Sequence, residues 1–128
     1  MDATALAELV RKGEVSPLEL VDAAIRRIEN LNPRINAVIW ERFEKARQEA
    51  RGVLPQGPFQ GVPFLTKDVG CTTAGEPESQ GSRFLKNHNY TATATAELAK
   101  RIREAGFVNL GRTNSPAFAT MTTTEPLA

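Results

Sequence analysis

The chain has 128 residues, with 41% hydrophobic and 24% charged side chains, a composition ordinary for one folded domain and unlike a disordered chain. Sixteen Lys and Arg against fifteen Asp and Glu leave a formal charge of +1, without the basic excess that marks a nucleic-acid binder. The single cysteine, Cys71, excludes an intrachain disulfide, and with the single histidine, His88, it cannot complete a zinc site of Cys and His ligands.

The first 51 residues carry 18 of the charges and the remaining 77 carry 13, so the early region reads as solvated helices over an interior supplied later. Asp2 can cap a first helix, about residues 2–12, with Leu6, Leu9 and Val10 on one face and Gly13 beyond its end. Ser16-Pro17-Leu18-Glu19 is a capping box with proline in the first turn. Leu18, Val21, Ile25 and Ile28 then recur at helical spacing, which predicts a helix over about 16–30 that breaks at Asn32-Pro33. Residues 36–40, NAVIW, read as a short strand or buried connector, and 41–51 as a third helix with Phe43, Ala46 and Ala50 facing inward.

Pro55, Gly57, Pro58 and Gly61 turn the chain into a short buried strand, Val62 to Leu65, with Pro63 near its start, where a missing donor is tolerated. Residues 70–90 show no period and read as a loop, with Glu76 and Glu78 as surface charges and His88 solvated. Thr93 can cap a helix over about 94–105 with Leu98, Ile102 and Ala105 on one stripe, closed by Gly106 with Phe107 folding back on Ile102. Phe107 to Leu110 reads as a strand ended by Gly111, and Ser115-Pro116 as the opening of another helix. No stretch reads as a secretory signal or a membrane span, which makes the cytoplasm the expected compartment.

The informative stretch is GVPFLTKD, residues 61–68. It places a lysine, Lys67, at the end of an apolar strand in a charge-poor region. Burial there would penalise the ammonium and favour a neutral amine able to act as a base. From the residues alone, a solvated strand end is the simpler reading. Cys71 reads as a small buried hydrophobe. Trp40 and Tyr90 are too isolated for a base-stacking platform.

GVPFLTKD resembles the lysine segment of the amidase signature enzymes. The opening LAELVRKGEVSPLELVDAAIRRIENLNPRINAVI is similar to that family's N-terminal helices, and LAKRIREAGFVNLGRTNSPAFA to its helix–strand unit. The tail TTTEPLA looks like the approach to its glycine- and serine-rich signature. The resemblance implies an α/β fold in which helices cover both faces of a mixed sheet. These residues would form one partial domain, helix-dominated, with two or three short strands. It implies a Ser–cis-Ser–Lys triad hydrolysing a small-molecule amide, with Lys67 in the place of the lysine base and neither cofactor nor metal.

The triad serines belong to the segment beyond TTTEPLA, and Ser16, Ser79, Ser82 and Ser115 match no nucleophile motif; a Ser82–Lys67 dyad is the only substitute the loop offers. Ala117 stands where the family pattern has an acid. The expected activity is therefore that of the family, with these residues inactive alone. Two alternatives stay open: a non-catalytic module that self-associates through uncovered strand edges, and the amidase component of a tRNA-dependent amidotransferase. Neither nucleic acid nor membrane is an expected partner.

Overall fold

A computed structural model describes residues 1–125; Pro126-Leu127-Ala128 of the expected signature approach lie outside them. Helix α1, Ala3–Arg11, begins where the Asp2 carboxylate accepts the Ala5 N–H at 2.9 Å. Helix α2, Pro17–Ile35, begins with the capping box complete: Ser16 Oγ accepts the Glu19 N–H at 3.2 Å, and Glu19 accepts the Ser16 N–H at 2.8 Å. These bonds satisfy donors that a helix start otherwise leaves free.

Helix α2 does not stop at Asn32-Pro33 as expected. It runs through Pro33 to Ile35, and Asn36 caps it in the left-handed conformation. The reason is a long-range tie: Asn32 Nδ2 donates to Val38 O, and Val38 N–H donates back to Asn32 Oδ1, both at 2.8 Å. That pair fastens the helix end to strand β1, Val38–Glu41, and offsets the backbone bond that proline removes.

Helix α3, Phe43–Arg51, packs beside α2. The two helices bury Val21, Ile25, Ala46 and Ala50 against Val108 and Leu110 of strand β3, Val108–Thr113. The inward faces of both helices are those their periodicity predicts. The sheet has the order β1-β3-β2, where β2 is Pro63–Lys67. β1 runs antiparallel and β2 parallel to β3, so the sheet is mixed, and β1 and β2 form its outer edges among the described residues. β3 passes through Gly111 to Thr113 rather than ending there. It does so by a bulge, with Phe64 opposite Asn109 and Thr66 opposite Arg112.

The long excursion between β2 and β3 is more structured than its composition suggests. Short helix α4, Arg83–Asn87, lies within the stretch expected to be loop, and Pro77 bridges to Thr91. Helix α5, Glu97–Glu104, starts after Ala96 without a side-chain cap, not from Thr93. Leu98 on it is exposed, and Ala99 and Ile102 turn inward instead. Gly106 takes the expected left-handed conformation, but Phe107 stacks on Phe59 at 4.6 Å and meets Phe64 at 4.9 Å. After Ser115-Pro116 the chain makes only one 3-10 turn, Ala117–Ala119.

Candidate active site

Lys67 is the last residue of β2, paired with Thr113 of β3. Its side chain is exposed and makes no ion pair or hydrogen bond among the described residues. The burial expected from the apolar run therefore falls on its neighbours. Thr66 and Asp68 are buried on either side, because alternate residues of a strand face opposite ways. Thr66 Oγ1 donates to Gly111 O at 3.2 Å, and Asp68 N–H donates to Thr113 O at 3.0 Å. The lysine is thus a free cation on a pinned backbone.

The serines lie apart from it. Ser16 caps α2. Ser79 Oγ donates to Asp68 Oδ2 at 2.6 Å, and its N–H donates to the same carboxylate. Ser82 precedes α4 without a side-chain cap bond, and no Ser82–Lys67 hydrogen bond forms. Ser115 is fully buried, with its hydroxyl unpartnered among the described residues. Ala117 is exposed on the turn after β3.

Glu76 and Glu78 are buried, not surface charges. Glu76 sits between two arginines that the sequence places far away. Arg112 Nη2 lies 3.6 Å from one of its oxygens and Arg42 Nε 3.5 Å from the other, while Arg42 also grips Glu49 at 2.7 Å. Glu78 accepts from Gln80 Nε2 at 2.9 Å. Arg112 also donates to Cys71 O at 3.3 Å and lies 6.0 Å from the Trp40 ring centre. These arginines and acids are functional-looking groups that the sequence does not reveal, since only the folded register brings them together. Cys71 is buried as expected; desolvation raises its thiol pKa, against an opposing pull from Arg112. His88 is exposed and rests on Phe84, with Nδ1 2.8 Å from Phe84 O.

A cavity of about 400 Å³ opens at the strand ends, with Asp68, Ser79, Trp40, Tyr90 and Asn114 among its walls. Among the described residues no three His, Cys, Asp or Glu side chains cluster as a metal site, and no helix is long and apolar enough to cross a membrane. The arrangement supplies a positioned amine with a polar recess next to its strand. A nucleophile within its reach is not among the described serines.

The comparisons with known proteins agree with this geometry. The Amidase family model matches residues 19–128, and the chain belongs to that family, the amidase signature enzymes. It is 47% identical over 127 residues to the 6-aminohexanoate-cyclic-dimer hydrolase of Pseudomonas sp. (strain NK87), covering 99% of this chain and 25% of that protein. It is 40% identical to the lipoamidase of Enterococcus faecalis, over 89% of this chain and 16% of that one. The solved structure of 6-aminohexanoate cyclic dimer hydrolase superposes with a TM-score of 0.93 at 47% identity, over the whole of this chain and 26% of the other. A bacterial aryl acylamidase superposes with a TM-score of 0.85 at 29% identity, over 98% of this chain and 27% of that one. The five helices and mixed three-stranded sheet match the N-terminal portion of the family's α/β fold. The chain spans about a quarter of the length of the relatives it matches first.

Proposed function

We propose that these residues are the lysine-bearing part of an amide hydrolase that forms an acyl-serine intermediate. The observation that carries the reading is Lys67 itself: a free amine on the last residue of a strand whose two neighbours are buried and bonded. In the complete family fold the attacking serine adds to the amide carbonyl, and its proton passes through the second serine to Lys67. The same proton then serves the leaving amine, so nitrogen departs as a neutral amine and the acyl group stays on the serine until water releases it. Lysine fills the role that histidine has in the commoner triad. The nucleophile comes from outside these 128 residues, which alone hydrolyse nothing. The outer edge of β2 is where further strands of the family sheet add.

The substrate is a small-molecule carboxamide. Identity to a cyclic-dimer hydrolase is 47%, against 36% to a component of the glutamyl-tRNA(Gln) amidotransferase of Halorhodospira halophila. That difference supports a free-standing hydrolase over part of an amidotransferase.

A hybrid tests this. Residues 1–128 replace the matching quarter of the Paenarthrobacter ureafaciens 6-aminohexanoate-cyclic-dimer hydrolase, and turnover of the cyclic dimer is followed. The hybrid is expected to be active, and Lys67→Ala to lower kcat by about 10²–10⁴-fold. A folded hybrid that keeps its rate without Lys67 refutes the assignment.

A further inference from the structure

We propose that Asp68 is a positioning residue for Lys67, acting through its clamp on Ser79. The inference rests on the reading of Lys67 as the base. Asp68 is 1% exposed and has no Lys or Arg at ion-pair distance among the described residues. A carboxylate buried without a cation is costly unless its oxygens are bonded. Its bonds all go to one residue: the Ser79 hydroxyl at 2.6 Å, and the Ser79 N–H at 3.2 and 3.3 Å to the two oxygens. Bonds to an ionised acceptor are short and strong, and two donors from one residue fix orientation as well as distance.

The clamp joins three segments. Asp68 N–H holds Thr113 O at the end of β3. Ser79 O accepts the Ser82 N–H at 2.8 Å, and Gln80 O accepts the Phe118 N–H at 2.8 Å. Gly81 lies so close to the 115–117 turn that a Cβ there would sit 2.5 Å from Ser115 O. The strand end bearing Lys67, the 77–82 segment and the turn after β3 therefore share one anchor, placed one residue beyond the lysine. Lys67 has no side-chain partner of its own among the described residues, so its aim depends on the backbone that this anchor holds.

The test uses the hybrid enzyme with residues 1–128 as its N-terminal quarter. Asp68→Ala is expected to lower kcat by about 100-fold with KM changed less than twofold, the cost of misplacing a catalytic group by about an ångström. Ser79→Ala is expected to cost about tenfold and Ser79→Thr, which restores the hydroxyl, less than twofold. The deciding variant is the double one. If Asp68 acts through Lys67, adding Asp68→Ala to Lys67→Ala leaves the residual rate unchanged, because residues acting as a unit are not additive. A further loss in the double variant overturns the proposal and makes Asp68 a general stabiliser. A rate that survives Lys67→Ala refutes the base assignment instead, whereas a dead Lys67→Ala beside a fully active Asp68→Ala refutes only the clamp. Hydrogen exchange in the 128-residue chain tests the clamp without turnover. Asp68→Ala is expected to speed exchange of the Ser79 and Ser82 amides at least tenfold, and unchanged exchange overturns the proposal whatever the hybrid does.

Discussion

Replacing Glu76 by Gln removes one negative charge from between two buried arginines while keeping the side-chain volume. Arg112 is 1% exposed, and its Nη2 lies 3.6 Å from Glu76, its sole carboxylate partner among the described residues. At an effective dielectric of about 20, unit charges at that distance attract by about 5 kcal/mol. The cost of bringing the arginine out of water stays when the acid goes. Removing one partner of a buried pair therefore costs about 3–5 kcal/mol, against total stabilities of about 5–15 kcal/mol for whole domains. Glu49 offers the contrast: it holds Arg42 at 2.7 Å with its own side chain 38% exposed, and Glu49→Gln is expected to cost about 1 kcal/mol or less. Urea unfolding followed by circular dichroism reads both. Glu76→Gln is expected to lose most of the transition midpoint, and adding Arg112→Met to recover at least half, since an apolar side chain needs no counter-ion. A loss below about 1 kcal/mol for Glu76→Gln, or no recovery in the double variant, refutes the claim that the pair is desolvated.

Two further perturbations bear on the framework. Gly111→Ala places a Cβ 2.2 Å from Trp40 O at the β3 bulge, where φ is +154°, so β1 must move away; we expect a loss of about 2–4 kcal/mol in the same urea assay, and a neutral result contradicts the described pairing of β1 with β3. Ser16→Ala removes the α2 cap and is expected to cost about 1 kcal/mol, or about 4 °C in Tm. The bonds from Ser16, backbone first, hold the Glu19 pKa below its ordinary value. That depressed pKa means its stabilisation is present above the unfolded carboxylate pKa and is lost as pH falls through the folded one. Parent and Ser16→Ala should therefore converge as pH drops through the carboxylate range, and a gap that does not shrink in acid rules out the reciprocal bond.

What the sequence shows depends on how far apart the partners are. The Ser16–Glu19 box spans three residues, so its pattern contains its own geometry, and α2 starts where that pattern says. The stripes on α2 and α3 are equally local, and both faces are buried as their spacing requires. Pro33 failed as a stop signal because the bonds that carry the helix past it come from Val38, beyond the helix. Glu76 failed for the same reason on a larger scale. Nothing near it in the chain is positive, and its arginines arrive from the start of α3 and from β3. The family resemblance located Lys67 but not its surroundings. The buried members of the site, Thr66 and Asp68, sit on either side of the residue whose burial the apolar run suggested, which is a one-residue error in face.

The excursion after Lys67 is held in an unusual way for its length. Its large apolar side chains, Phe84 and Tyr90, are exposed, and the buried apolar residues it adds are the small Cys71 and Ala92. Hydrophobic burial therefore does little to hold it. Three buried acids, Asp68, Glu76 and Glu78, do this instead, each bonded or paired to a different part of the structure. Apolar packing grows with area and tolerates sliding, whereas charge-assisted bonds fail over a fraction of an ångström. A segment fixed by such bonds gains little net stability, because desolvation offsets most of the attraction. What it gains is a defined position. That is the property a strand end needs when the amine on it must meet a serine carried by another part of the fold, and it accounts for the concentration of buried charge in the part of the sequence poorest in charge.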